Sequence, residues 1–204
     1  MEISDTYKTI RHQSEGLYKD KGSKFIALAY PVKDEDEITG HLETIKKSYY
    51  DASHHCYAWV LGFDDRQYKI NDDGEPSGTA GKPIYGQIRS HELCNILIVV
   101  VRYFGGTKLG VRGLINAYKG AAFDAISNNT IIVKTIRNHY RLYFSYVSMN
   151  DVMQILKAYE LPQKGHQFDL NCKLEFSVRQ NISDEVVNKL KKILATRIEY
   201  LYTT

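Results

Sequence analysis

The fold of this 204-residue chain is decided by the stretch NILIVVVRYFGGTKLG, residues 95–110. Its unbroken run of six aliphatic residues, Ile96–Val101, predicts a strand over residues 95–103 that is buried on both faces. The paired glycines after the strand predict a sharp turn, and a helix is predicted from about Val111 to Ser127. The sequence therefore predicts a sheet with helices packed on it.

The rest of residues 1–133 supplies further elements of the same domain. Alternating apolar and polar residues predict strands at Lys8–His12, Lys24–Tyr30, His54–Leu61 and Gln67–Ile70. Asp34 is a suitable N-cap for a helix that extends to about Tyr49, and a second helix is predicted over Thr79–Glu92. Residues 71–78, NDDGEPSG, are expected to form a tight loop before that second helix.

Residues 134–204 contain strands and helices in a different order. Strands are predicted at Tyr140–Ser148, Gln167–Leu170, Lys173–Arg179 and Ile198–Tyr202, and helices at Asn150–Tyr159 and from Ser183 to about Arg197. The order βαββαβ is that of a ferredoxin-like unit. The predicted fold class is therefore α+β, with one domain over residues 1–133 and a ferredoxin-like domain over residues 134–204.

Composition excludes several classes of protein. A hydrophobic fraction of 43% with 25% charged residues is ordinary for a globular chain that buries a core. The longest apolar run has six residues, whereas about 20 are needed to cross a bilayer, and the first ten residues lack the apolar segment of a secretory signal. Cys56, Cys94 and Cys172 form no CxxC pair. We therefore expect reduced thiols, a cytoplasmic location, no metal, no cofactor and no membrane partner.

The distribution of charge indicates where an anionic partner could bind. Residues 134–204 carry 11 Lys and Arg against 7 Asp and Glu, a net charge of +4. From Leu93 to Phe123 there is no acidic residue, and the segment contains Arg102, Lys108, Arg112 and Lys119. This pattern is compatible with a phosphate-bearing partner and equally with an ordinary solvated basic face.

Catalytic signatures are absent from the sequence. There is no GxGxxG, GxSxG or HExxH motif, and the residues around Gly81 and Lys82 lack the first glycine and the hydroxyl group of a phosphate-binding loop. His54 and His55 are neighbours in a predicted strand, so their side chains point to opposite faces and cannot easily hold one ion together. Cys56 shares a face with His54, which leaves a Cys–His nucleophile as a weak alternative. No catalytic residue and no metal ligand is assigned.

The acidic loop groups three carboxylates within four residues, Asp72, Asp73 and Glu75. Such a group could bind a divalent cation or take part in acid–base chemistry. The alternative is a solvated turn, which the spacing favours because it matches no calcium or magnesium loop. A possible second site is therefore assigned to His54, Asp72, Asp73, Gly74, Glu75, Gly78 and Thr79.

The glycine turn after the central strand is the most unusual local feature. Glycines allow backbone N–H groups to approach a ligand closely, and the positive end of the next helix is nearby. Tyr103 and Phe104 offer rings on which a base could stack. The alternative is that the glycines merely permit the turn and that the aromatic rings pack in the core. The predicted nucleic-acid or anion-binding residues are Arg102, Tyr103, Phe104, Gly105, Gly106, Lys108, Gly110 and Arg112.

Several of these motifs together resemble the Impact family. They are residues 21–25 (KGSKF), 54–58 (HHCYA), 72–81 (DDGEPSGTAG) and 99–110 (VVVRYFGGTKLG). The resemblance extends over about the first 130 residues. One departure from the family pattern is Arg112-Gly113-Leu114, where Gly-Gly-Leu is expected, so Arg112 would either obstruct a ligand or supply an extra cation.

The resemblance implies both a fold and a field of function. The bacterial branch of the family carries a C-terminal ferredoxin-like domain. The first domain is similar to the second domain of ribosomal protein S-five and to a domain of elongation factor G, and the C-terminal domain is similar to a later domain of that factor. Eukaryotic members restrain translational control under amino-acid starvation, an activity associated with an additional N-terminal domain, so that mechanism is not expected here.

The leading hypothesis is a non-enzymatic, translation-associated regulatory factor that binds RNA or the ribosome. Arg102, Lys108 and Arg112 would contact phosphates, and the second domain would add affinity through Lys134, Arg137 and Arg141 if these share one face. The alternative is a small metal-assisted hydrolase or nucleotide-processing enzyme that uses the Asp72–Glu75 loop opposite the glycine turn. A protein-interaction module is third. Spacing does not indicate whether the acidic loop and the glycine turn meet, or whether the chain forms oligomers.

Overall fold

The computed structural model describes residues 5–63 and 67–204. Over these residues the chain has a mixed α+β fold, which confirms the predicted class. It divides into two compact units. The first unit is Tyr7–Lys134, and the second is Thr135–Thr204 together with the N-terminal residues up to Thr6. We propose that each unit is an independently folding domain, as the predicted ranges 1–133 and 134–204 require.

The first unit is built on a five-stranded antiparallel sheet with the order β2-β3-β6-β4-β5. Its strands are β2 (Ser14–Asp20), β3 (Ser23–Pro31), β4 (His54–Leu61), β5 (Gln67–Asn71) and β6 (Ile96–Tyr103). A separate two-stranded sheet pairs β1 (Thr6–Ile10) with β7 (Ile131–Thr135). The central strand β6 corresponds closely to the strand predicted over residues 95–103.

Helices cover both faces of the five-stranded sheet. They are α1 (Glu35–Ser48), α2 (Gly81–Ser90) and α3 (Gly110–Ser127). The Asp34 side chain accepts a hydrogen bond from the backbone N–H of Glu37, as expected for the N-cap of α1. Odd-numbered residues of β6 pack in the cluster that contains α1, and even-numbered residues pack in the cluster that contains α2 and α3. This alternation explains why every residue of Ile96–Val101 is completely buried.

The long helix α3 approaches the sheet closely because its inner face carries small residues. That face contains Ala117, Ala121, Ala122 and Ala125, all fully buried. A Cβ atom on Gly16 of β2 would lie 2.2 Å from the backbone nitrogen of Ala125. The glycine is therefore required for the close contact between the strand and the C-terminal half of α3.

The second unit has the predicted ferredoxin-like order βαββαβ. Its elements are β8 (Arg137–Ser145), α4 (Met149–Ala158), β9 (Gln163–Gln167), β10 (Asn171–Arg179), α5 (Ser183–Lys191) and β11 (Arg197–Thr203). Short 3-10 helices at Tyr146–Ser148 and Gln180–Ile182 precede the two α-helices. The four strands form an antiparallel sheet with the order β11-β8-β10-β9, and α4 and α5 bury one of its faces in a single core cluster.

Two local predictions were wrong in the second unit, and two strands elsewhere were not predicted. The strand predicted at Gln167–Leu170 is found at Gln163–Gln167, because that edge strand is polar, whereas the apolar Phe168 and Leu170 lie exposed in the following turn. The last helix ends at Lys191, since the Thr196 hydroxyl donates to the carbonyls of Leu190 and Ile193 and closes its C-terminal turn. Strands β2 and β7 were not predicted.

Candidate anion-binding cleft

The candidate site begins with a row of three side chains across the sheet. Arg102 on β6 is the register partner of His54 on β4 and of Phe25 on β3. Because side chains alternate along a strand, Arg102 follows Ile98 and Val100 onto the face covered by α2 and α3. The cation therefore lies at the end of a hydrophobic face, below the N-terminal half of α3.

Glu75 from the acidic loop pairs with this buried arginine. Arg102 Nη1 donates to Glu75 Oε1 at 2.5 Å, and the Tyr118 hydroxyl donates to the same oxygen at 2.8 Å. Arg102 and Glu75 are only 6% and 8% exposed. His54 Nε2 lies 3.8 Å from Glu75 Oε1. The acidic loop and the segment that leads into the glycine turn therefore meet at one site, which sequence spacing did not indicate.

The Arg102 guanidinium lies between two aromatic rings and has a buried donor without a partner in the described part of the chain. Its central carbon lies 5.4 Å from the ring centroid of Phe25 and 5.5 Å from that of Phe104, so two aromatic rings flank the cation. Its Nε is buried and has no hydrogen-bond partner among the described residues. A buried donor on a charged group is costly to leave unmade.

The two histidines do point to opposite faces of β4. His54 Nδ1 lies 2.7 Å from the carbonyl oxygen of Asp73; a carbonyl can only accept, so in the neutral ring we assign the proton to Nδ1, which leaves Nε2 as an acceptor. His55 Nε2 lies 3.0 Å from the carbonyl oxygen of Tyr49. The two rings serve separate environments.

The carboxylates of the acidic loop are occupied by the fold. Asp72 Oδ1 accepts from the backbone N–H groups of Ala80 and Gly81, and Oδ2 accepts from that of Gly78, so Asp72 holds the start of α2. Asp73 Oδ2 accepts from the backbone N–H of His55 at 2.6 Å. The loop is therefore not the simple solvated turn that was favoured from sequence.

Other members of the predicted second site shape the same loop. Gly74 and Gly78 have φ values of +86° and +75°, which non-glycine residues rarely adopt. The Thr79 hydroxyl donates to the carbonyl of Pro76 at 2.6 Å and is buried. No group of three or more metal-ligating side chains occurs within residues 5–63 and 67–204.

The glycine turn owes part of its sequence to backbone packing. A Cβ atom on Gly105 would lie 1.9 Å from the carbonyl carbon of Gly22, and the Gly105 N–H donates to Ser23 Oγ at 3.1 Å. Gly106 and Gly110 have φ values of +84° and +71°. Gly105 is therefore needed where two turns touch, and the other two are needed for left-handed backbone.

The two aromatic residues of the predicted site have different environments. The Tyr103 hydroxyl donates to Asp51 at 2.9 Å, and its ring packs against the core cluster on the α1 side of the sheet. Phe104 is 50% exposed and lies against Arg102. Stacking of an external ring is therefore open to Phe104 rather than to Tyr103.

A cleft of about 560 Å³ opens beside this network. It is lined by Ser53, His54, Glu75, Pro76, Arg102, Phe104, Lys108, Leu109, Gly110, Val111 and Leu114. The N-terminus of α3 forms part of the wall, and this helix has no side-chain cap and no acidic residue in its first turn. Lys108 and Arg112 are exposed and have no ion-pair partner within the described parts of the chain. The predicted anion-binding residues thus divide between a buried group and an exposed group.

The Cys–His nucleophile is not supported by the thiol's environment. Cys56 is completely buried, and its Sγ lies 3.0 Å from the carbonyl oxygen of Asp72 and 3.3 Å from the Tyr118 hydroxyl, so the single S–H has an acceptor within reach. Burial raises the pKa of the Cys56 thiol to about 12. Burial also raises the pKa of Tyr118 far above its usual value, with Cys56 and Glu75 adding to the shift. Both groups are therefore protonated hydrogen-bonding partners.

Sequence reasoning missed two residues of this site, Tyr118 and Phe25. Tyr118 lies next to Ala117 on the alanine-rich inner face of α3, and a tyrosine among small buried residues indicates that its hydroxyl has a partner inside the protein. Phe25 was noted only as part of a motif. Its position opposite Arg102 depends on the pairing of β3 with β6, which only the structure reveals.

The helical layers of the first unit differ in charge. The α2 and α3 layer carries the cations Lys82, Arg89, Lys108, Arg112 and Lys119, all exposed. From Pro76 to the end of α3 the acidic residues are Glu92, which pairs with Lys8 at 2.6 Å, and Asp124, which accepts from the backbone N–H of Leu17. The α1 layer, on the opposite face, carries more acidic residues (Asp34, Glu35, Asp36, Glu37 and Glu43) than basic ones (Lys33, Lys46 and Lys47). The two faces of the sheet therefore differ in the sign of their net charge.

Cations of the second unit are largely engaged within its own sheet. Arg141 donates to Glu175 at 2.8 and 3.1 Å and lies 3.8 Å from Glu199, and Arg137 donates to the Ser177 hydroxyl and carbonyl. The two arginines, four residues apart in β8, lie on one face of the sheet. Lys134 belongs to β7 of the first unit, so the expectation that it shares their face finds no support.

Within the described residues, no helix is both long and apolar enough to cross a membrane.

The fold and the sequence motifs define the class to which the first unit belongs. Residues 21–126 match the profile of the Impact N-terminal domain. The chain is 31% identical to the IMPACT family member YvyE of Bacillus subtilis over 175 residues, which is 86% of this chain and 81% of that protein. It is 37% identical to the IMPACT family member YigZ of Escherichia coli over 138 residues, 67% of this chain and 68% of that protein. The chain belongs to the IMPACT family, which confirms the resemblance drawn from its motifs.

Solved structures extend the likeness to the whole chain. A crystal structure described as that of a hypothetical protein has a TM-score of 0.72 and 27% identity, and the match covers 98% of this chain and 99% of that chain. The structure of the two-domain translational regulator Yih1 matches with a TM-score of 0.39 and 24% identity, over 58% of this chain and 48% of that chain.

Proposed function

We propose that the protein is a non-enzymatic, translation-associated regulatory factor that binds RNA or the ribosome through the basic layer of its first unit. The observation that carries this proposal is the segregation of charge between α2 and α3 on one face of the sheet and α1 on the other. A surface of one sign concentrates a partner of the opposite sign, and phosphate groups supply most of the affinity in nucleic-acid binding.

Exposed residues of α3 form a stripe suited to a phosphate backbone. Arg112, Asn116, Lys119 and Phe123 are spaced four, three and four residues apart and are all exposed, so they share the outer face of the helix. Lys108 precedes this stripe at the uncapped end of α3, where the helix dipole also favours negative charge. These groups are free to contact phosphates without breaking an existing ion pair among the described residues.

Base contacts are assigned to Phe104 at the end of the same surface. Its ring is half exposed, and base stacking on an aromatic side chain contributes about 1–3 kcal/mol. The Arg102 side chain is buried against Glu75, so a strand on the surface would not reach it without entering the cleft. Arg141 and Arg137 already have partners and would contribute less than the residues of α3.

The family supports translation as the field of function. Yih1 is described as a translational regulator, and relatives from Saccharomyces cerevisiae and Dictyostelium discoideum are IMPACT homologues. A metal-assisted hydrolase that uses the acidic loop is disfavoured, because a cation would have to displace the backbone amides that Asp72 holds and the guanidinium that Glu75 holds. A regulatory role without catalysis requires neither of these two displacements.

Co-sedimentation with ribosomes tests the proposal. The Arg112→Gln/Lys119→Gln variant removes two exposed cations from the basic layer, and Lys46→Gln/Lys47→Gln removes two exposed cations from α1 as a matched control. We expect the wild type and the control to pellet with ribosomes at low salt and the α3 variant to be depleted from the pellet. Equal recovery of both variants, or no recovery of the wild type at low salt, would remove the proposal.

A further inference from the structure

The RNA-binding proposal gives no role to the buried side chain of Arg102. Its side chain is buried, its Nε lacks a partner among the described residues, and it lines a cleft of about 560 Å³. A second, independent observation lies in the same wall, since the 18-residue helix α3 begins there without a cap. A buried cationic donor and an open helix N-terminus are both completed by an anion.

We propose that this cleft is a binding site for a small organic phosphate monoester. The phosphate would occupy the end formed by Arg102, Lys108 and the first backbone N–H groups of α3. The organic body would lie against the apolar side chains of the remaining wall. The proposal concerns a separate ligand and does not depend on RNA binding by the outer face of α3.

The charges around the cleft favour an anion over a neutral ligand. Arg102 and Glu75 offset one another in an ion pair of 2.5 Å, which leaves the Lys108 ammonium group and the positive end of α3 without compensation among the described residues. Glu75 also orients the guanidinium by accepting from Nη1, and the buried Nε has no partner among the described residues. The site therefore has a net positive potential and a pre-positioned donor.

The number of separate donors favours phosphate over carboxylate. Arg102 at the end of β6, Lys108 in the glycine turn, and Gly110 and Val111 at the start of α3 all line the cleft, so its donors come from different elements. A phosphate monoester presents three terminal oxygens, so it can accept from three directions at once, and helix N-termini are established phosphate sites. A carboxylate has two oxygens in one plane and would leave part of this set unused.

The rest of the wall requires an organic body on the phosphate. Phe104, Leu109, Val111 and Leu114 line the cleft, and Phe104 and Val111 are 50% and 58% exposed. A volume of about 560 Å³ lies within the range of pockets that hold small organic molecules. Inorganic phosphate would leave these side chains in contact with water, so a molecule of about nucleotide size fits better.

The same chemistry has two possible sources, a free phosphorylated metabolite and the phosphorylated end of an RNA. Isothermal titration calorimetry of the full chain with inorganic phosphate, AMP and adenosine measures the phosphate and body contributions. Short RNA oligomers with a 5′-phosphate or a 5′-hydroxyl provide the second arm. AMP binding tighter than phosphate and adenosine supports a free phosphate monoester. A 5′-phosphate that strengthens RNA binding while AMP also binds shows that an RNA end can enter the same cleft.

Variants test whether AMP binds in this cleft. Lys108→Gln and Arg102→Lys should each weaken AMP binding by about tenfold or more, and Phe104→Ala should weaken AMP more than it weakens inorganic phosphate. Lys119→Gln lies on the same helix but outside the cleft and should leave AMP affinity within about twofold. If Arg102→Lys does not fold, Lys108→Gln and Phe104→Ala still decide. Absence of AMP and phosphate binding, or AMP affinity unchanged by Lys108→Gln, would overturn the inference.

Discussion

Replacing Glu75 by glutamine removes one negative charge from a site where Arg102 has no other ionic partner among the described residues. Arg102 is 6% exposed, so its guanidinium cannot regain full hydration in the folded state. Removing one partner of a buried ion pair typically costs about 3–5 kcal/mol. The cleft beside the pair admits some water, so we expect a loss in the lower part of that range, about 3 kcal/mol.

The Tyr118 hydroxyl contributes to the same loss. It donates to Glu75 Oε1 at 2.8 Å, and a glutamine oxygen can still accept this bond without the charge. Bonds to charged groups contribute about 1 kcal/mol more than neutral ones. Because glutamine keeps the size of the side chain, a cavity makes no contribution to the measured change.

Urea unfolding followed by tryptophan fluorescence is a suitable assay. Trp59 is the one tryptophan in the chain, and it is 6% exposed within β4 of the first unit. An Arg102→Met variant and the Glu75→Gln/Arg102→Met double variant complete the cycle. We expect the double variant to be less destabilised than the sum of the single variants by about 1.5 kcal/mol or more. A cost below about 1 kcal/mol for Glu75→Gln, or additivity in the cycle, would refute the buried ion pair.

Three further predictions concern backbone packing, thiol reactivity and acid stability. Gly105→Ala places a Cβ 1.9 Å from a backbone carbon of the neighbouring turn, so it should lower the free energy of unfolding in urea by more than about 3 kcal/mol. Gly40→Ala, in open space on α1, should instead raise it by about 0.5–1 kcal/mol. Equal effects of the two variants would contradict the close contact. Cys56, buried and with its pKa raised to about 12, should resist iodoacetamide at mildly alkaline pH in the native protein, and rapid alkylation mapped to it would show that the site opens. The hydrogen bond from Arg179 holds the pKa of Asp5 below its usual 3.8, so the ion pair contributes stability above that pH and loses it as the pH falls. Asp5→Asn should therefore make the stability of the second unit less dependent on pH below about pH 4. An unchanged acid-unfolding profile would contradict this prediction.

Hydrophobic patterning predicted the three helices and most strands of the first unit, but not β2 or β7. The aliphatic run Ile96–Val101 predicted a central strand buried on both faces, and Asp34 predicted the start of α1. Patterning failed where the determining contact is distant in sequence. Strand β7 has no buried residue and no regular alternation of exposure, and it forms through pairing with β1, which lies far away in the sequence. The polar edge strand β9 has no periodic apolar residues, so hydrophobic patterning could not predict its position.

The candidate site was predicted in its parts but not in its assembly. Local rules identified the glycine turn and the acidic loop, because unusual residue types mark both. The ion pair between Glu75 and Arg102 joins residues 27 apart in sequence, and the Tyr118 contact joins residues 43 apart. Such pairings depend on the register between β4 and β6 and on the rotation of α3, which no local pattern encodes.

Charge at Arg102 shows how burial changes the meaning of a residue. In the sequence it belongs to an acid-free segment and was grouped with Lys108 and Arg112 as a phosphate contact. In the structure it follows the inward side of β6 and pairs with Glu75, while the other two are exposed. The position of a cation relative to the alternation of its strand therefore distinguishes a surface contact from an internal one.

The central claim, that exposed cations of α3 neutralise phosphates of RNA, is tested most directly by the salt dependence of binding. Fluorescence anisotropy with labelled single-stranded RNA over a salt series gives the slope of log Kobs against log salt concentration. Each phosphate contact contributes about 0.7 to that slope, so Arg112→Gln/Lys119→Gln should reduce its magnitude by about 1.4, while Lys46→Gln/Lys47→Gln leaves it unchanged. A slope near zero for the wild type, or equal slopes for both variants, would contradict the account.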